Sequence, residues 1–250
     1  MLRFLFVLFF ITSIANAQVI NVETLRKPTD STKWTGATSL NLSLIKNTND
    51  IFKIENKAHI QYKDSSNLWL FVNDINLQKI EGNSLVNRGT QHLRYNRKLT
   101  KSIKWEVFTQ AQYDAVSNID LRFLLGTGPR FKLSENDKYK FYLGTLIMYE
   151  HEKASDEITD RLQEDIRGSI YLSFSLYPTE TLSIISTSYF QPKIDALKDH
   201  RLSSNTSVLL KIFDDLAFKT TFNYFFDAFP VSSSIPKTQY ELTNGLLYTF

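Results

Sequence analysis

The sequence predicts an all-β protein, a transmembrane antiparallel up-and-down β-barrel of about twelve strands preceded by a cleaved signal peptide. Three observations point there. The chain opens on an apolar segment too short to span a bilayer as a helix. A period of two recurs from about residue 33 to the end. Aromatic residues make up 14% of the chain, with 12 Tyr and 19 Phe, and they gather near the ends of the alternating segments.

The opening segment is MLRFLFVLFFITSIANAQ. Arg3 supplies the early positive charge, an apolar run reaches Ile14, and Ala15-Asn16-Ala17 forms a small-x-small cleavage site. That order predicts a signal peptide over residues 1–17, a mature chain from Gln18, a short periplasmic segment over 18–32 and a barrel over 33–250. A helical span needs roughly 20 apolar residues, more than this run offers. There is no Cys, so disulfides and thiolate chemistry are excluded. Net charge is +3, or +2 once Arg3 is removed, too balanced to predict a nucleic-acid partner.

Beyond Gln18 the period is that of a strand. In IFKIENKAHIQYK, Phe52, Ile54, Asn56, Ala58, Ile60 and Tyr62 share one face; Lys53, Glu55, Lys57, His59, Gln61 and Lys63 share the other. In IKWEVFTQAQYD, Trp105, Val107 and Ala111 oppose Glu106, Phe108, Gln110 and Asp114. Similar segments are expected near 33–46, 50–63, 67–80, 87–99, 103–114, 120–133, 139–151, 164–177, 182–192, 199–213, 216–227 and 239–250. The third and ninth alternate poorly and predict bulges. Pro129 predicts a bulge or strand end, because it cannot donate to a ladder.

Length and polarity choose between a soluble sandwich and a membrane barrel. Soluble strands average roughly 5–6 residues; these are about twice as long, and their polar faces carry full charges. A barrel places one row against lipid, the polar row in a lumen and aromatics at two interfaces. Trp34, Tyr62, Trp69, Trp105, Tyr113, Tyr139, Tyr149 and Tyr240 fit such girdles. Links after even segments read as tight turns. EKASDEITDRLQ and AFPVSSSIPKT, after odd segments, read as long outer loops. The last segment puts Tyr240, Leu242, Leu246, Tyr248 and Phe250 on the lipid row. Leu246, Tyr248 and the terminal Phe250 are expected to act as an assembly signal, with the last strand closing on the first. The expected location is the outer membrane of a Gram-negative cell. The expected partners are outer-membrane lipid and lipopolysaccharide, the barrel assembly machinery and periplasmic chaperones.

The stretch LRYNRKLTKSIKWEVFTQAQYD (Leu93–Asp114) and the following LRFLLGTGPRF (Leu121–Phe131) resemble a known family. Its members are described as salt-induced outer-membrane proteins and are defined by a domain of unknown function, number 481. Tyr95-Asn96, the W-E-x-F-x-Q-x-Q-x-D spacing and the G-x-G-P-R turn carry the resemblance together. It implies an outer-membrane barrel and brings no established activity or catalytic residue.

The candidate site is therefore the inward row of the fourth to sixth segments. Arg88, His92, Arg94, Glu106, Asp114, Arg122 and Arg130 are expected to form a lumen charge network. They either select a solute or pair into a structural ladder, since buried charges must be compensated. Arg94, Arg122 and Arg130 are expected to pair with Glu106, Asp114 and their neighbours. Gly126, Gly128 and Gly144 either open a path or make room for Phe108 and Tyr142. His200 and Ser204 share a face but lie about 13 Å apart along a strand, beyond hydrogen-bond reach. There is no G-x-S-x-G elbow, phosphate-binding glycine loop or zinc-ligand spacing. No catalytic residue, cofactor or metal is predicted. The expected function is a non-enzymatic barrel, a narrow pore or an envelope-stress or structural component. The alternatives are a lipid or lipopolysaccharide hydrolase and an adhesion or docking scaffold using outer loops.

Overall fold

The computed structural model describes residues 33–248 except 47, 137, 156–159, 214–215 and 231–234. The expected signal peptide, the 18–32 segment and Phe250 lie outside the described residues. Twelve strands follow one another in a single antiparallel sheet, each hydrogen-bonded to its sequence neighbours. They are β1 (Trp34–Lys46), β2 (Asp50–Lys63), β3 (Asn67–Ile80), β4 (Asn83–Lys98), β5 (Ile103–Asp114) and β6 (Ile119–Glu135). The second half comprises β7 (Tyr139–Ser155), β8 (Asp160–Leu176), β9 (Leu182–Pro192), β10 (His200–Lys211), β11 (Leu216–Asp227) and β12 (Thr238–Tyr248).

Alternation sets which row turns inward. In β5, Glu106, Phe108, Gln110, Gln112 and Asp114 are buried, while Trp105 and Val107 between them are exposed. The outward rows carry Phe71, Leu125, Ile147, Ile170, Phe190 and Leu242, all exposed apolar side chains. The sheet curls until His92 of β4 and Phe225 of β11 line the same interior cavity. We call the end bearing the links after even strands the turn end, and the other the loop end.

Aromatic contacts mark the turn end. Trp34 packs on Tyr62 with centroids 4.9 Å apart, Trp69 on Tyr95 at 4.5 Å, and Tyr139–Phe141–Phe174 continue the belt. Trp105 Nε1 donates to Thr127 Oγ1 at 2.8 Å, so its polar edge is satisfied. The turns between are locked by side chains. Asp64 Oδ1 accepts from the Ser66 and Asn67 backbone N–H groups at 2.8 and 2.7 Å. These bonds, the Ser66 N–H foremost, hold the Asp64 carboxyl below its ordinary pKa.

Four expectations need correction. First, the link after β7 is not long: β7 and β8 remain paired through Lys153↔Leu162, Ala154↔Arg161 and Ser155↔Asp160, leaving only 156–159. Hydropathic alternation ends before the ladder does, because backbone pairing does not need large apolar side chains: the inward row here is the buried Glu152 and the small Ala154. Only links 193–199 and 228–237, both at the loop end, exceed the others in length. Second, Pro129 causes neither bulge nor strand end. The β6–β7 register is unchanged from Thr127↔Ile147 to Arg130↔Gly144, and the pairs between are simply skipped. Third, of the two segments expected to be irregular, β3 does shift register at Gln78/Lys79, whereas β9 pairs without a shift; further shifts fall at Gln112/Asp114, Ile119/Leu121 and Lys132/Ser134. Fourth, among the described residues no ladder joins β12 to β1. The inward row of β1 is Thr35, Ala37, Ser39, Asn41, Ser43 and Ile45, side chains mostly too short to tie this edge across the lumen.

Gly128 explains how β6 and β7 stay close at the skipped pairs. A Cβ there would lie 2.7 Å from Leu146 Cα and closer still to the Thr145 carbonyl oxygen. Backbone cannot yield as a side chain can. Gly128→Ala is therefore expected to destabilise by roughly 1–3 kcal/mol. At Gly245 a Cβ would meet nothing within 4 Å, so Ala is expected to enter there without such a clash. Urea unfolding of the two variants in micelles checks the ordering.

Candidate functional site: the lumen charge network

The interior is layered along the barrel axis. At the loop end, three buried arginines converge on two buried glutamates of β7. Arg122 of β6 donates from Nε to Glu152 Oε2 at 2.7 Å and stands 3.0 Å from Glu150 Oε1. Arg167 of β8 donates from Nε to Glu150 Oε2 at 2.6 Å, and reaches Asp165 at 3.3 Å and Asp199 at 3.0 Å. Arg201 of β10 donates to Glu150 Oε1, to Glu152 Oε2 at 3.2 Å and to Asp227 Oδ2 at 2.9 Å. Lys193 closes the rim on Asp165 at 2.7 Å. Glu150, Glu152 and Arg167 are each 1% exposed. Ions this deep are tolerable only because each guanidinium fork meets several carboxylate oxygens.

The middle layer is apolar. Phe108, Leu124, Leu146, Met148, Tyr171 and Tyr189 form one buried cluster. Glycines create the space for its rings: a Cβ at Gly126 would strike Phe108, and one at Gly144 would strike Tyr171. Gly126 thus accommodates the expected Phe108, whereas the partner of Gly144 is Tyr171 rather than Tyr142. A cavity of about 30 Å³ remains beside His92, enough for one or two waters. His92 Nδ1 lies 3.0 Å from Gln110 Oε1. That oxygen only accepts, so Nδ1 donates. Gln110 in turn donates to Gln112 Oε1 at 2.7 Å.

At the turn end one carboxylate serves two guanidiniums. Glu106 is 0% exposed and accepts from Asn96 Nδ2 at 2.9 Å and from the Tyr171 hydroxyl at 2.5 Å. Arg94 stands 3.7 Å and Arg130 3.6 Å from its oxygens. The Arg130 guanidinium also lies over the Tyr142 ring, 4.1 Å from its centroid.

The structure therefore separates the residues singled out in the sequence. Arg94, Glu106 and Arg130 meet. Arg122 joins the other layer, with Glu150 and Glu152. His92 packs against Phe108 between them, rings stacked at 5.5 Å. Asp114 pairs with none of those three arginines: it faces Arg88 in register and caps the β5–β6 turn, accepting from Val116 N–H at 3.0 Å and from the Ser117 hydroxyl at 3.2 Å. Leu246 is exposed on the outward row of β12, and Tyr248 pairs with Leu216 in backbone register. Sequence reasoning missed Glu150, Glu152, Asp165, Arg167, Arg201 and Asp227. The same every-second-residue row, continued through β7, β8, β10 and β11, points to them. Glu152 lies inside the stretch that reads as a long loop.

Fold and interior together define a twelve-stranded up-and-down β-barrel, polar within and apolar without, whose lumen is largely filled by its own side chains. The chain belongs to the family described as "Protein of unknown function, DUF481", whose model matches residues 29–250. Among solved structures it is similar to a NanC porin, with TM-score 0.47 and 9% identity over 87% of this chain and 98% of the other. It is also similar to a bacterial polysaccharide outer membrane secretin, with TM-score 0.43 and 9% identity over 87% and 91%. No curated protein matches.

Glu150 is the carboxylate that Arg122, Arg167 and Arg201 share. Glu150→Ala is expected to cost roughly 3–5 kcal/mol, the range for breaking a buried ion pair from one side. Gln163→Ala, on the same barrel half but outside the network, serves as the comparison. Reversible denaturant unfolding in micelles measures both.

Proposed function

We propose that this protein is a non-enzymatic β-barrel of the outer membrane, a narrow pore or structural envelope component whose lumen is held shut by its own ion pairs. One observation carries the reading: the buried network that crosses the lumen from Arg122 through Glu150 and Glu152 to Arg201 and Asp227. It ties β6, β7, β10 and β11 across the interior, where an open pore would need water. The apolar outward rows and the aromatic belt support a lipid surrounding. On this reading outer-membrane lipid and lipopolysaccharide are its surroundings, and barrel assembly machinery and periplasmic chaperones deliver it.

The side-chain geometry gives the alternatives less support. A hydrolase needs a serine hydroxyl bonded to a histidine. His92, His151 and His200 instead engage Gln110, Glu164 and the Lys198 carbonyl. The Lys153–Leu162 stretch that a docking scaffold would use as a loop is mostly strand.

Two measurements test the proposal. In planar bilayers the wild-type barrel is expected to conduct weakly, and Glu150→Ala to conduct more by loosening the network. A large steady wild-type conductance that Glu150→Ala leaves unchanged would contradict a closed lumen. For the membrane setting, Val107→Arg on the outward row is expected to destabilise by about 2–4 kcal/mol near mid-bilayer. Gln110→Arg on the inward row is expected to cost less, and unfolding from reconstituted bilayers compares them.

A further inference from the structure

The rim at the turn end is not uniform around the barrel. Five links join even strands to odd ones there, and four of them carry acidic residues in sequence: Asp64, Asp137, Glu180 and the pair Asp214-Asp215. The β4–β5 link, Leu99–Ser102, carries none and holds Lys101. Arg97 precedes it near the end of β4, and both cations are exposed. Carboxylates on the adjoining strands and turns are engaged elsewhere. Asp64 accepts from the Ser66 and Asn67 N–H groups and from Asn67 Nδ2. Glu135 is shared among Lys132 at 2.9 Å, Lys140 at 3.9 Å and Lys104. Among the described residues neither Arg97 nor Lys101 has an ion-pair partner.

The turn itself is fixed. Thr100 Oγ1 accepts from the Ser102 and Ile103 N–H groups at 3.2 and 3.0 Å, and the Lys98 N–H donates to the Ser66 carbonyl at 2.7 Å. The two cations therefore stand on a backbone that needs no rearrangement to bind. Arg97 belongs to the outward row, directly opposite Asn67 of β3 and Trp105 of β5. The next outward row toward mid-barrel is Trp69, Tyr95 and Val107, and the one beyond it includes Phe71 and Leu93. The polar edges of this belt are satisfied within the chain: the Tyr95 hydroxyl donates to Asn67 Oδ1 at 2.6 Å, and Trp105 Nε1 to Thr127. A guanidinium thus faces out above an apolar wall. Its fork suits a phosphate, and the wall suits acyl chains.

We infer that Arg97 and Lys101 form a binding site for the headgroup of an anionic phospholipid in the leaflet at the turn end, with its acyl chains on Leu93 and Val107. The inference rests on the reading that the outward rows face lipid. Charge complementarity selects the occupant, since each lysine or arginine near a bilayer surface strengthens attraction to anionic lipid roughly fivefold.

The chain supplies its own reporters. Its three tryptophans, Trp34, Trp69 and Trp105, all lie in the turn-end belt. The test reconstitutes the purified mature chain, carrying Trp34→Phe, in bilayers of brominated lipids, whose bromines quench tryptophan on contact. Brominated phosphatidylglycerol is compared with brominated phosphatidylcholine at low ionic strength. Expected is a preference for phosphatidylglycerol of about fivefold or more. Arg97→Gln/Lys101→Gln is expected to abolish the preference, and Arg97→Lys to retain most of it. Lys98→Gln removes one charge from the inward row of the same strand, and Lys153→Gln removes one at the loop end; both are expected to retain it. Equal quenching by the two lipids in the unsubstituted site, or loss of the preference in Lys98→Gln or Lys153→Gln, overturns the site and leaves the membrane reading standing. Absence of quenching by either lipid overturns both. Inorganic phosphate removing the preference more strongly than sodium chloride of equal ionic strength would overturn the assignment to a lipid and give the site to a soluble anion.

Discussion

The interior depends on one carboxylate shared by three guanidiniums. Glu150 accepts from Arg167 and Arg201 and stands 3.0 Å from Arg122, and those arginines sit on three other strands. A sheet fixes each strand only to its two neighbours; nothing in the ladder dictates how tightly it curls. Side chains that reach across the lumen supply that information. Arg201 links β10 to β7, three strands away, and Tyr171 links β8 to β5 in the same way. Burial makes these links strict, because an ion removed from water must find its partner in one geometry.

The same logic accounts for where the sheet is least tied. β1 contributes short inward side chains, and most of its residues are exposed. The charges of β2 that face inward, such as Lys53 and Glu55, bond to each other along their own strand rather than across the lumen. The half from β5 to β8, together with β10 and β11, is cross-braced by buried ions, while the flanks add to their ladders only contacts between adjacent strands, such as Asn73 donating to Asn56 and Thr220 to Asn244. The bracing reaches β4 on one side and β11 on the other, leaving three strands outside it at one edge and one at the other.

Much of this was legible in the sequence, for a definite reason. A two-residue period read over many turns leaves little choice of register, since a one-residue slip exchanges lumen and outer rows. That set β2, β5 and β11 at the bounds found in the structure; β3 and β9, which alternate poorly, match theirs through the turns that flank them. Alternation fails where its physical cause lapses. Past Glu152 the apolar content of β7 falls to the small Ala154 between Lys153 and Ser155, so pairing continues with almost no hydropathic signature and the strand reads as a loop. At Pro129 the rule that proline interrupts a ladder is sound locally, yet Gly128 beside it lets β7 approach closely enough to keep register. The inward identity of Arg94, Glu106 and Arg130 was readable, but their partners were not. Glu106 bonds Tyr171, 65 positions away, and which strands face each other across a lumen is a property of curl rather than of period.

The two charged layers are built from the same residue types and behave differently because of their stoichiometry. At the loop end, carboxylates equal or exceed guanidiniums, so every fork can be saturated and the layer is sealed. At the turn end, Glu106 commits lone pairs to neutral donors, Asn96 and Tyr171, and two arginines stand off at 3.6 and 3.7 Å. Arg130 draws instead on the Tyr142 ring, which attracts a cation without neutralising it. The apolar layer between them, with Phe108 and Tyr171 at its centre, separates the two regions.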